Sequence, residues 1–392
     1  MLKRNWLIYI LILCAVVVLV AAVYVINLPG NNSTFKQENA SQDTTSFKGY
    51  AKGMVSEVVL EQIDDVRNTQ SITQQLKVKL TDVDKGGEEI VIDNSQILDK
   101  AGSVHYKVGD RVVLGLVPAE ATDQYVIIDR YRLPGVYIVV AVFLVLAVIV
   151  GRKRGLTSLV GLGITGCILL YFIAPQILAG KDPFLVALVG AGAIILASMF
   201  ISHGFSKRIQ ISAISTIIAL VFTAIIAYIF VYISLLFGFG QSDAFLLETG
   251  YLGSINLQGI LLAGIIISVL GVLDDVTTAQ TAAVEELHKV DPSLSIKSLY
   301  QKGLSIGREH ISSLVNTLIL VYAGAALPLF LLLTLQKSQP LWIILNSEFI
   351  AEELVRSLIG STTLILAVPI STLLASYIYS HKDKNSFVST VK

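Results

Sequence analysis

The sequence predicts an α-helical polytopic membrane protein of about eight transmembrane helices, with a small all-β, OB-like extracytoplasmic domain after the first helix. Three observations predict it. Apolar residues make up 54% of the 392 residues and charged ones only 15%, with a mean hydropathy of +0.72. That is too apolar for an ordinary soluble domain and excludes a disordered chain. Apolar runs of about 20 residues, the length that crosses a hydrocarbon core as helix, recur along the chain. Residues 50–132 instead alternate with period two between turn signals. The balance of 29 basic against 29 acidic residues lacks the basic excess of a nucleic-acid binder. Two cysteines, Cys14 and Cys167, sit in apolar runs as small hydrophobes and make neither a disulfide framework nor a cysteine zinc site.

The first apolar run, 6–26, follows Lys3 and Arg4. It is about twice a normal signal h-region and no small-x-small cleavage site follows, so residues 1–27 read as an uncleaved signal anchor. Further runs cover 134–150, 156–174, 183–201, 209–237, 255–273, 313–335 and 357–379. The run 209–237 exceeds the bilayer thickness and predicts tilt or extension. Gly161, Gly163, Gly166, Gly190, Gly192, Gly259, Gly264 and Gly271 predict close helix packing, and Pro328 and Pro369 predict kinks. Basic residues set the orientation. Fourteen lie on one set of segments, including Arg152, Lys153, Arg154, Lys207, Arg208 and Arg308, against Lys181, Lys337 and Arg356 in short loops on the other. The positive-inside rule then places both termini and the tail 381–392 in the cytoplasm and residues 30–132 outside.

Residues 28–47 are polar and read as a tether. Strands are expected at 54–60, 76–80, 89–92, 111–117 and 124–128; Leu76-Lys77-Val78-Lys79-Leu80 is the clearest alternation. Short strands of this number suggest a small barrel. It shows no aromatic face or basic stripe, so its expected role is a structural cap or a docking module for an envelope protein at residues 50–132, not nucleic-acid binding.

Residues 133–380 form a seven-helix membrane domain with a cytoplasmic loop at 274–312. Its informative stretch is Gly271-Val272-Leu273-Asp274-Asp275-Val276-Thr277-Thr278-Ala279-Gln280. Carboxylates at membrane depth are costly and take a partner, an ion or a proton. Asp274 and Asp275 point about 100° apart on a helix, and Thr277, Thr278 and Gln280 add neutral oxygens suited to a hard cation or a hydrogen-bonding solute. The plainer alternative is that the span ends here and Asp275 caps a new helix near Val276, an amphipathic one under the membrane that stops before Pro292. A second cluster, Gly307-Arg308-Glu309-His310, precedes the next span. Glu309, Ser313, Asn316 and Thr317 make one polar stripe, which belongs against protein or water rather than lipid. Arg308 is either a counter-ion for Asp274 or Asp275, or a snorkelling anchor. His310 and His203 are candidates of the same kind, each also readable as an interface histidine.

The runs 271–280 and 307–310, with Val315-Asn316-Thr317-Leu318-Ile319-Leu320-Val321-Tyr322-Ala323-Gly324-Ala325-Ala326-Leu327-Pro328, resemble the signature of the YibE/F family of bacterial multi-pass membrane proteins. The resemblance covers about residues 130–380 and extends more loosely to the outer domain and its Tyr106-Lys107-Val108-Gly109-Asp110 turn. It implies a bacterial cytoplasmic-membrane location and assigns no activity and no catalytic residue.

Three functions compete. The preferred one is a transporter or permease for a small solute or ion, with Asp274, Asp275, Thr277, Thr278, Gln280, Arg308, Glu309, His310, Asn316 and Thr317 as binding residues and a divalent cation or proton as coupling ion. No inverted repeat supports it. The second is an accessory or signalling protein that binds a partner through the outer domain. The least favoured is a metal-dependent enzyme on a lipid phosphate, with Glu285, Glu309 and His310 completing an Asp274–Asp275 site. No phosphate loop, nucleophile elbow or facing aspartate dyad is legible, and no organic cofactor is implied.

Overall fold

The computed structural model describes residues 47–66, 69–81, 87–93, 105–118, 124–240, 256–335 and 340–390. The expected signal anchor at 6–26 and the tether at 28–47, apart from Phe47, lie outside the described residues. Two compact units emerge, one within Asn39–Leu146 and one built on Ala147–Lys392.

The first unit is an antiparallel sheet of β1 (Gly49–Val66), β2 (Thr69–Leu80), β3 (Glu89–Asp93), β4 (Arg111–Val117) and β5 (Gln124–Arg130), in the order β3-β2-β1-β4-β5. All five expected strands are present. Register shifts between Val55 and Glu57 and between Val58 and Leu60 bend β1, and the sheet curls into a half-barrel. Alternation places Leu76, Val78 and Leu80 inside with Val55, Ile92, Val112, Leu114 and Ile127, while Lys79 faces out. Buried Gln74 ties a distant segment to β2. Its Nε2 donates to the Tyr106 carbonyl at 3.0 Å, and its Oε1 accepts the Tyr106 N–H at 2.8 Å. The 107–110 turn closes through Gly109, whose φ of 94° a side chain would resist.

The second unit is helical. α1 (Leu133–Leu178) begins in the first unit and continues into it; α2 (Pro183–His203), α3 (Lys207–Ile233), α4 (Leu257–Val290), α5 (Ile296–Ala325), α6 (Leu327–Leu335), α7 (Leu341–Leu345) and α8 (Glu348–Thr390) follow. Capping side chains set several starts: Asp182 accepts from Leu185 N, Ser206 from Ile209 N, Asn256 from Gly259 N and Ser295 from Ser298 N. α3, α4 and α8 pack on one another pairwise, with α2 on α4 and α5 on α8.

Among the described residues five helices are long and apolar enough to cross a membrane: Leu133–Leu178, Pro183–His203, Lys207–Ile233, Leu257–Val290 and Glu348–His381. The chain is therefore a multi-pass membrane protein, and the eight expected spans are not all found. The runs 134–150 and 156–174 follow one another as two helices across a kink at Arg152, where φ is 50° and ψ −131°. The kink is tight: a Cβ at Gly155 would stand 2.0 Å from the Ala147 carbonyl oxygen. The run 313–335 divides at Ala326 into α5 and α6. Pro328 lacks the N–H that would continue the helix, and the polar residues 308–317 shorten the apolar part of α5.

The region about Asp274 departs further from expectation. No helix ends there, and Asp275 caps nothing. α4 runs unbroken from Leu257 to Val290, so the helix expected to start near Val276 and lie under the membrane is its continuation, with Thr277, Gln280, Thr281 and Val284 buried. Much of the expected loop 274–312 is a helical hairpin of α4 and α5. Of the glycines expected at close contacts, 161, 190 and 259 meet neighbours, while 163, 166, 192, 264 and 271 face open space.

Candidate functional site

α4 carries Asp274, Thr277, Thr278 and Thr281 at i, i+3, i+4 and i+7, so they share one side of the helix. α3 faces them with Ser212, Ser215 and Thr216, all fully buried. The hydroxyls join into a chain. Thr278 Oγ1 donates to Asp274 Oδ1 at 3.4 Å and lies 3.0 Å from Ser212 Oγ. Ser212 Oγ donates to Thr277 Oγ1 at 3.3 Å, and Thr277 Oγ1 lies 2.6 Å from Thr216 Oγ1. Thr216 also donates to the Ser212 carbonyl at 2.9 Å, so the chain ends on backbone, beside the Met199 sulfur at 3.9 Å. Asp274 is half-buried at the edge of this chain and Asp275 is exposed. Thr281 Oγ1, one turn beyond Thr277, is buried and has no hydrogen-bond partner.

Gln280 makes a separate node. Its Nε2 donates to the Gly303 carbonyl at 2.7 Å and to Thr372 Oγ1 at 2.8 Å, joining α4 to α5 and α8. Gly307 makes the approach possible, since a Cβ there would stand 2.3 Å from Val368 Cγ1 and 3.0 Å from Gln280 Oε1. Towards the end of α4, Glu285 faces Arg208 of α3 at 3.7 Å and Lys289 at 3.5 Å.

The ten predicted residues therefore separate. Asp274, Thr277 and Thr278 come together, joined by Ser212 and Thr216, and Gln280 lies in its own node. Arg308, Glu309, His310, Asn316 and Thr317 are exposed on α5, which turns Gly303 and Gly307 inward. Among the described residues Arg308 makes no ion pair with Asp274 or Asp275, so the expected counter-ion is not in place. The polar stripe exists, with Thr317 donating, among the described residues, to the Ser313 carbonyl of its own helix at 2.9 Å.

Sequence reading missed Ser212 and Thr216. Hydroxyls at 212, 215 and 216, spaced i, i+3 and i+4 in an apolar helix, were the available signal. It also missed a carboxylate collar at the start of α8. Glu348 Oε1 accepts the N–H groups of Phe237, Gly238 and Phe239 at 2.7, 2.9 and 3.2 Å. Buried Glu352 accepts that of Gly240 at 2.8 Å. The i, i+4 spacing of these acids was legible, but both precede the apolar run.

Among the described residues no group of three or more His, Cys, Asp and Glu side chains is placed to hold a metal ion. The donors about Asp274 are one carboxylate and neutral hydroxyls, a set suited to a proton or a weakly charged ligand. Glu285, expected to complete a metal site, faces cations, and Glu309 and His310 lie exposed on α5.

A family model described as YibE/F-like protein matches residues 139–381. The chain belongs to the YibE/F-like family. The match takes in α2, α3, α4, α5 and α8, with every residue of the hydroxyl chain, and leaves out the β unit. No curated protein and no solved structure matches the chain.

Proposed function

We propose that the protein is a transport-type membrane protein of a bacterial cytoplasmic membrane, with proton movement at Asp274 coupled to passage of a small solute or ion. One observation carries this reading: the run of neighbouring hydroxyls from Asp274 through Thr278, Ser212 and Thr277 to Thr216. Each hydroxyl both donates and accepts. When Asp274 is protonated, the acid donates to Thr278, Thr278 to Ser212, Ser212 to Thr277, Thr277 to Thr216 and Thr216 to the Ser212 carbonyl; when Asp274 is ionised, Thr278 turns its one proton to the carboxylate and, with Ser212 donating to Thr277, the Thr278–Ser212 contact carries none. The two protonation states thus hold the α3–α4 contact in two hydrogen-bonded forms, which is what a coupled carrier needs from a carboxylate. The charged and titratable groups on the surrounding elements include Asp275 on α4, His203 on α2, Arg154 on α1, and Arg208 with its partner Glu285. The positive-inside distribution turns this end of α4 to the cytoplasm.

The test uses the full-length protein in liposomes loaded with a pH-sensitive dye, under an imposed membrane potential, with and without a panel of small solutes. Wild type moves protons, Asp274→Asn does not, Thr277→Val slows the flux and Thr277→Ser restores it. Wild-type flux in Asp274→Asn overturns the assignment. A docking role for the β unit is favoured by exposed Tyr50, Leu60 and Val91, and capture of an envelope protein through these side chains tests it.

A further inference from the structure

An open cleft of about 740 Å³ lies where the β unit hands the chain to α1. The lining has two chemically distinct parts. One is polar: Asp110 and Arg111 at the start of β4, then Tyr131 and Arg132 just before α1. The other is the apolar stripe Val136, Val139 and Val140 of α1, on one face at i, i+3 and i+4.

The polar part is fixed by backbone. Tyr131 N–H donates to the Arg111 carbonyl at 2.8 Å, which holds the two residues side by side. The Lys52 ammonium sits over the Tyr131 ring, 5.3 Å from its centroid, and adds a further cation. The neighbouring carboxylates are already engaged: Asp129 pairs with Arg132, and Asp110 with Arg130 at 3.3 Å. Arg111 makes no ion pair among the described residues. The cleft therefore carries Arg111, without an ion pair among the described residues, beside the paired Arg132 at one end and bare valine at the other, and Val139 is 70% exposed.

Its level in the chain completes the argument. Leu133 opens an uninterrupted apolar stretch to Val150, and Tyr131 and Arg132 stand immediately before it. Arg and Tyr at the first turn of a spanning helix sit at headgroup depth, and the valines descend from there into hydrocarbon. We propose that this cleft is a binding site for an anionic phospholipid, whose phosphate lies on Arg111 and Arg132 and whose acyl chains run along Val136, Val139 and Val140. Arginine's fork matches phosphate oxygens, and a neutral zwitterionic headgroup brings its own cation to the same place, where Lys52 and Arg111 repel it. The site fixes the half-barrel to the membrane surface and does not depend on any transport activity.

The test is fluorescence quenching in the full-length protein reconstituted in nanodiscs. The chain has 2 tryptophans, Trp6 and Trp342, and both are changed to Phe. Val139→Trp then reports the cleft, and Val145→Trp, farther along the same helix, reports ordinary lipid contact. Brominated phosphatidylglycerol is titrated against brominated phosphatidylcholine. The expected result is half-maximal quenching at position 139 with about tenfold less of the anionic lipid, the factor that one charge-assisted contact supplies, and no preference at position 145. Arg111→Gln removes the preference and Arg111→Lys keeps most of it. Equal quenching by both lipids at position 139, a preference that survives Arg111→Gln, or its abolition by inorganic phosphate alone overturns the proposal, the last by showing a simple phosphate site.

Discussion

Replacing Gly307 by Ala tests the contact that seats Gln280. The added methyl would stand 2.3 Å from Val368 Cγ1 and 3.0 Å from Gln280 Oε1. Neither distance is tolerable for a carbon, so α5 must withdraw from α8 or Val368 must turn. Overpacking of this kind costs about 1–3 kcal/mol. The gain in helix propensity from Gly to Ala, about 0.5–1 kcal/mol, offsets part of it. Gly271, mid-helix in α4 with nothing within 4 Å of its Cβ position, isolates that gain. Gly271→Ala is therefore expected to stabilise by about 0.5–1 kcal/mol and Gly307→Ala to destabilise by about 1–2 kcal/mol. Unfolding of the full-length protein in mixed micelles, titrated with a denaturing detergent, reads both. Since the nearest obstacle to the new methyl is a side chain, Val368→Ala in the Gly307→Ala background recovers most of the loss. Equal stability of Gly307→Ala and wild type, or no recovery in the double variant, refutes the packing argument.

Gln74→Leu leaves the Tyr106 N–H and carbonyl buried without their partner, at about 1–3 kcal/mol for each group, and hydrogen exchange at the Tyr106 amide should accelerate. Glu348→Gln weakens three bonds to a charged acceptor, so exchange at Phe237, Gly238 and Phe239 should rise while exchange in the middle of α3 stays unchanged. On the β unit, the Lys77 ammonium 2.8 Å from Glu89 holds that carboxyl below its ordinary value, first through the hydrogen bond and then through charge, and Glu89 holds the ammonium above its own. The pair's stabilisation is thus present at neutral pH, lost as pH falls through the depressed Glu89 value, and lost again as pH rises through the raised Lys77 value. NMR titration of Lys77→Ala should show Glu89 returning to the ordinary range, and an unmoved Glu89 would contradict this.

Some of this architecture was legible because its signals are local. Leu76-Lys77-Val78-Lys79-Leu80 reads as a strand because side chains alternate across a sheet, and no distant residue has to be known. The membrane class followed from run lengths alone. The Asp274–Thr278 pairing was within reach because i and i+4 meet on any helix. What failed needed knowledge of neighbours. Asp274 and Asp275 looked like the end of a helix, yet no proline or glycine lies between 272 and 290 to stop one, and Thr277 and Gln280 find partners on α3, α5 and α8. Ser212 and Thr216 are unremarkable until α3 is known to lie beside α4. Charge alone left Arg308 open between counter-ion and snorkelling anchor; Gly303 and Gly307 decide which face of α5 turns inward, and they leave Arg308 outside.

The carboxylate collar has a mechanical consequence. At one end of the α3–α8 pair, Glu348 and Glu352 grip the four successive backbone N–H groups from Phe237 to Gly240 that follow α3. At the other end, Lys207 donates to the Ile378 carbonyl at 3.3 Å and rests on the Tyr379 ring. Two antiparallel rods pinned at both tips form a truss: neither can splay from the other, though the pair can tilt as one piece. If the proposed transport past Asp274 operates, it would shift α4 against this pair, across the contact where Ser212 donates to Thr277.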